Sequence, residues 1–113
     1  MHKLVRYKLK IMEMVAKEIE EFDMTFEPKS PTWFILARKA RYEFYQRVYL
    51  ELPNFIFSQE ESEAILKEGK FLEMCWSVWN DMGGTLPEAM EIVAECLTQE
   101  IDFDALRQSR NNN

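Results

Sequence analysis

Apolar residues recur along this chain at helical spacing, not at the alternation of strands. In residues 3–22, Leu4, Val5, Ile11, Met12, Val15, Ala16, Ile19 and Phe22 gather on one side of an amphipathic helix. The stretch "DMTFEPKSP" then interrupts the pattern with two prolines. Ser30-Pro31 predicts a restart, with serine at the N-cap and proline at the first helical position. A second helix follows over 31–52, stopped by Pro53. "PNFIF" predicts a short apolar connector whose rings plug one end of the core.

Ser58 followed three residues later by Glu61 is the pattern of a capping box, and it opens a third helix over 58–82. Ala64, Ile65, Phe71, Leu72, Cys75, Trp76, Trp79 and Met82 share one of its faces. Gly69 falls inside that helix, where it costs about 1 kcal/mol relative to alanine, so close packing or a kink is expected there. "MGG" ends the helix. Thr85 with Glu88 repeats the box and opens a fourth helix over 85–101, with Leu86, Ala89, Met90, Val93, Leu97 and Ile101 as its stripe. "DFDALRQ" adds a short turn or continues the helix. The expected fold is all-α: a compact bundle of about four helices in one domain, 1–107, with a flexible tail, 108–113.

The second helix breaks the simple stripe. Trp33, Ala37, Ala40, Phe44 and Val48 make one apolar face, and Phe34, Ile35, Tyr42, Tyr45, Tyr49 and Leu52 an adjacent one. Lys39, Glu43, Gln46 and Arg47 form the polar side, into which Leu36 and Leu50 intrude. A helix apolar nearly all round is expected at the centre of a bundle. Arg38 and Arg41 sit among these apolar neighbours, placed to stack on Tyr42 or Tyr45. Lys8 and Glu68 interrupt the arcs of the first and third helices in the same way. A charge inside a bundle needs a partner, so Glu68 is expected to pair with Arg38 or Arg41. The rival reading exposes Arg38, Arg41, Tyr42, Tyr45, Tyr49 and Trp79 as a docking surface, since these residue types are enriched in interfaces.

Composition narrows the function. The chain has 113 residues, 47% apolar and only three glycines, which suits one helical domain with a real core. No glycine-rich phosphate loop occurs, no apolar run is long enough to span a bilayer, and the first ten residues lack the apolar segment of a signal peptide. Cys75 and Cys96 both occupy apolar helix positions. They read as buried reduced thiols of a cytoplasmic protein, with a disulfide joining their helices as the alternative.

The net charge of −6 is unevenly spread. Residues 1–57 hold ten basic and eight acidic side chains, net +2, whereas 58–104 hold two and twelve, net −10. Glu88, Glu91 and Glu95 line one face of the fourth helix. The first helix starts basic (Lys3, Arg6, Lys8, Lys10) and ends acidic (Glu18, Glu20, Glu21, Asp23), against the preference of its dipole. Antiparallel pairing of two copies through residues 3–22 would match those ends in a twofold homodimer.

Catalytic chemistry finds little footing. The single histidine is His2, and neither a zinc cluster nor a Glu-x-x-His pair occurs. Glu60/Glu63 and Glu88/Glu91 put two acids on one face, without a further ligand. The reading is a non-enzymatic protein-interaction module, an adaptor or regulator without cofactor or metal, acting through aromatic and acidic surfaces. The alternatives are an acidic mimic that inhibits a nucleic-acid-binding partner, and a nucleic-acid-binding protein using Lys3, Arg6, Lys10, Lys39 and Arg47. A pI near 4.9 weighs against the last.

Overall fold

The computed structural model describes residues 3–22 and 27–99. Among the described residues five α-helices follow one another: α1 (Lys3–Glu21), α2 (Thr32–Glu51), α3 (Gln59–Glu68), α4 (Phe71–Met82) and α5 (Leu86–Thr98). A single 3₁₀ turn, Leu52–Asn54, follows α2. The architecture is the expected all-α bundle, with one helix more than the spacing predicted. The expectations for 100–113, the C-terminal turn and tail among them, lie outside the described residues.

The extra helix comes from Gly69. The predicted 58–82 helix is two helices, because Gly69 takes a left-handed φ of 76° and closes α3. Its N–H donates to the Ile65 carbonyl at 3.1 Å, the single bond of an αL cap. Lys70 then resets the chain and α4 begins at Phe71. Neither the close packing nor the kink expected at Gly69 describes what occurs, which is a break between two helices.

Side-chain caps fix the other starts. Ser58 Oγ accepts the Glu61 N–H at 3.1 Å while Glu61 Oε1 accepts the Ser58 N–H at 2.8 Å, a complete capping box. Thr85 Oγ1 accepts the Glu88 N–H at 3.3 Å, and only that half of the second box forms. The Ser30 cap is a correction. Pro31, with ψ 145°, is the N-cap of α2, and no side chain caps that helix or places an acid in its first turn.

The helices close a circuit in which α1 packs on α3, α3 on α5, α5 on α4, α4 on α2, and α2 back on α1. Ile11, Val15, Phe44, Val48, Ile65, Phe71, Leu72, Val78, Met90 and Val93 fill the centre. The connector rings behave as expected. Phe57 is buried edge-on against Phe71, with centroids 5.9 Å apart, and stacks beside Phe55 at 4.9 Å. Ile56 between them turns outward and is 86% exposed. Cys75 and Cys96 are both buried, and no disulfide joins them. No described helix is long and apolar enough to cross a membrane.

The position of α2 is the main departure. It was expected at the centre, yet its buried residues are Phe44, Tyr45 and Val48, all in its C-terminal half. Arg41 and Tyr45 border a cleft with Gly69, Lys70 and Glu73, and Arg47 and Leu50 border one with Trp79. So α2 runs alongside α4 in the same direction, with Arg41 level with the first turn of α4. Residues 32–40 extend beyond that turn by about 14 Å.

Candidate functional site

The overhanging half of α2 carries the most conspicuous surface of the described residues. Trp33 is 70% exposed and Leu36 60%, and Ala37 and Ala40 are exposed beside them. At 100° per residue these four lie within one stripe, which continues into Phe44. Phe44 is buried against Trp76 and Trp79, with ring centroids 5.3 and 5.1 Å away. The stripe therefore begins in the core and runs out into solvent. Single exposed apolar residues are ordinary, but several on one helix face mark a place where something docks.

The arginines that drew notice in the sequence serve architecture. Arg38 stacks over Phe22 at 4.6 Å and Phe34 at 5.9 Å, and its Nη2 donates to the Phe22 carbonyl at 3.4 Å. Arg41 stands over Phe22 at 5.2 Å and over Tyr45 at 5.4 Å, and its Nε donates to the Tyr45 hydroxyl at 2.7 Å. The stack of Arg41 on Tyr45 is as expected, whereas Arg38 takes Phe22 and Phe34 in place of Tyr42 or Tyr45. The expected pairing with Glu68 does not form. Glu68 is exposed at the end of α3, on a groove shared with Thr98 and Leu97 of α5. Two guanidinium groups thus clamp the Phe22 ring, which follows α1 directly, and hold α2 to that end of it.

The remaining candidates are dispersed. Tyr45 is buried, with its phenol pushed above its ordinary pKa by burial and its ring edge-on to Phe22 at 4.9 Å. Tyr42, Tyr49 and Trp79 are half-buried. Glu88, Glu91 and Glu95 are all exposed on α5. The Tyr–Arg–Trp group therefore does not assemble into one outward surface. Trp33, Ala37 and Ala40 were missed as site residues because apolar side chains on a helix face read as core, and Leu36 because it read as an isolated intrusion on the polar side.

Glu18 was missed as well. Its signal was available, since it lies three residues after Val15 and four before Phe22, on the core side of α1. Its Oε1 accepts the Leu72 N–H at 3.3 Å, so it caps α4, whose N-cap Lys70 offers no side-chain bond. Burial pushes its carboxyl up to about 7, against the opposing pull of the Leu72, Phe71 and Glu73 N–H groups. Lys8, the other interruption on α1, donates from Nζ to the Pro53 carbonyl at 3.0 Å.

The raised Glu18 carboxyl has a pH consequence. The folded chain holds that proton up to about pH 7, while the unfolded chain releases it near 4.5. The stabilising contribution is complete below about pH 4.5 and is lost as pH rises through about 7. The urea midpoint of the wild type should fall between about pH 5 and pH 8, and Glu18→Gln should remove that component of the fall. Equal pH dependence in both proteins would contradict this assignment.

Among the described residues, no group of three or more His, Cys, Asp or Glu side chains is placed to hold a metal ion. Comparison with family models, curated proteins and solved structures finds no match.

Proposed function

We propose that this chain is a non-enzymatic protein-interaction module, an adaptor or regulator, that docks a polypeptide on the overhanging half of α2. The exposure of Trp33 and Leu36 on one face supports this reading most strongly. Both are costly to leave in water: fully burying a Leu side chain contributes about 1.5–3 kcal/mol. Large aromatic and aliphatic anchors of this kind carry most of the energy of interfaces. The docking face moves from the tyrosines to Trp33, Leu36, Ala37 and Ala40, because Tyr45 and the arginines are used inside the fold. Buried reduced thiols suit a cytoplasmic setting.

The test is a photo-reactive amino acid in place of Leu36, irradiated in cells expressing the full chain. The reading expects a covalent adduct to a polypeptide, absent when the same group replaces the exposed Gln46 on another face of α2. No adduct at 36, or equal labelling from both positions, would overturn it.

A further inference from the structure

The far end of the molecule carries a second exposed apolar surface. Lys8, near the start of α1, reaches Pro53 in the turn that follows α2, and Phe22, just past the end of α1, lies under Arg38 and Arg41. So α1 runs antiparallel to α2, and its first turns stand at the opposite end of α2 from Trp33 and Leu36. We infer that this end is a peripheral docking surface for an anionic lipid membrane, built from the first turns of α1 and the connector after α2. It is separate from the α2 arm and goes beyond the reading of that arm.

Aliphatic side chains gather there in the open. Val5 is 48% exposed and Leu9 52%, one turn apart on a single stripe of α1. Leu4, Val5 and Lys8 border an open hollow of about 110 Å³ with Ile56 and Phe57 of the connector. Ile56 is the most exposed large apolar side chain of the described residues. The Phe55 and Phe57 rings on either side of it pack on the core and fix it outward.

Cations frame these aliphatics. Arg6 and Lys10, both exposed, border the Val5–Leu9 stripe on one side, and Lys8 borders it on the other. Residues 3–12 and 52–59, the two segments that build the surface, hold four basic side chains and no acid. The Lys8 ammonium gives one N–H to the Pro53 carbonyl and has others for a phosphate. Aliphatics that enter the acyl boundary, flanked by long basic side chains that stay at headgroup level, are the pattern of an interfacial contact.

The acids of the adjoining helix are engaged or turned away. Glu61 accepts the Ser58 N–H, and Glu63 accepts the Tyr7 hydroxyl at 2.9 Å and the Gln59 amide at 3.0 Å. Glu60 lines the groove between α3 and α5. On α1 itself the first acid is Glu13. The basic start, which the dipole of α1 disfavours, thus gains a use against an anionic surface. A twofold pairing through 3–22 would need Glu18, which is engaged at the α4 N-terminus.

The aliphatics select lipid among anionic partners. Phosphate contacts alone would leave Val5, Leu9 and Ile56 in water. Tyr7, the ring of this end of α1, is held to Glu63 and offers no platform for a base.

Co-sedimentation of the full chain with vesicles tests the proposal. Partitioning onto phosphatidylcholine vesicles with about 30% phosphatidylserine should be at least about tenfold stronger than onto phosphatidylcholine alone. It should fall at least about fivefold between about 50 mM and about 500 mM salt. Arg6→Glu with Lys10→Glu should weaken it at least about tenfold, and Ile56→Asp about fivefold, with far-ultraviolet circular dichroism unchanged. The same change of charge at the other end, Lys29→Glu with Lys39→Glu, should leave it within about twofold of wild type. No partitioning onto the anionic vesicles would overturn the membrane, as would equal loss from both double variants or indifference to Ile56→Asp. Binding to soluble polyglutamate or to duplex DNA as tight as to the vesicles would also overturn it, in favour of that polymer. The Leu36 photo-adduct reads the other end of the molecule, so either proposal can fail while the other stands.

Discussion

Phe71→Ala is expected to destabilise the fold by about 3–5 kcal/mol, enough to unfold much of the population if total stability lies at the low end of the usual 5–15 kcal/mol. Phe71 is fully buried at the first position of α4. Its ring meets Phe57 of the connector edge-on, and its backbone lies where Glu18 caps the helix. One side chain therefore ties α4 to the connector, beside the point where α1 meets both. Alanine would leave a cavity that relaxation of the neighbouring elements fills only in part. Urea denaturation read by circular dichroism gives the measurement. A loss under about 1.5 kcal/mol would mean that the site relaxes, and that the junction is not the fixed point described here.

Gly69→Ala should cost about 1–2 kcal/mol, through the backbone alone. A methyl added at Gly69 would meet nothing within 4 Å, so no clash contributes. What it opposes is the φ of 76° that ends α3. An alanine prefers right-handed helix, and a continuous 58–82 helix would draw Phe71 and Leu72 away from the core. The same denaturation experiment checks the value. Unchanged or increased stability would show that α3 and α4 form one helix after all.

Chain ends and starts were legible in the sequence wherever one side chain does the capping. Ser58 with Glu61 and Thr85 with Glu88 placed the starts of α3 and α5 to within a residue, because their hydroxyls satisfy a specific N–H. Gly69 was legible as an anomaly but not as a break, since a glycine inside a long apolar pattern fits both a kink and close packing. The start of α2 was misread because a Ser-Pro pair fits a serine cap, whereas the extended ψ of Pro31 makes the proline itself the N-cap.

The candidate site was less legible, for a physical reason. Trp33, Ala37 and Ala40 have core composition, and periodicity cannot say whether a neighbour covers them, while Leu36 read only as an intrusion on the polar side. Their exposure follows from the register of α2 on α4, a long-range choice set by Phe44 against Trp76 and Trp79 and by the Arg41–Tyr45–Phe22 group. Arg38 and Arg41 were located as anomalies by their neighbours. The expected partner, Glu68, was wrong because both guanidinium groups stack over the Phe22 ring, a long-range contact that helical spacing does not reveal.

The claim that matters most is that the first half of α2 stands open and is covered when a partner docks. Hydroxyl-radical footprinting of the full chain over a concentration series measures this residue by residue. The account predicts heavy modification of Trp33 and Leu36 in dilute solution, comparable to that of Ile56, with Phe71 protected throughout. Protection of Trp33 and Leu36 even at the lowest concentration would contradict it, because the chain would then cover its own arm.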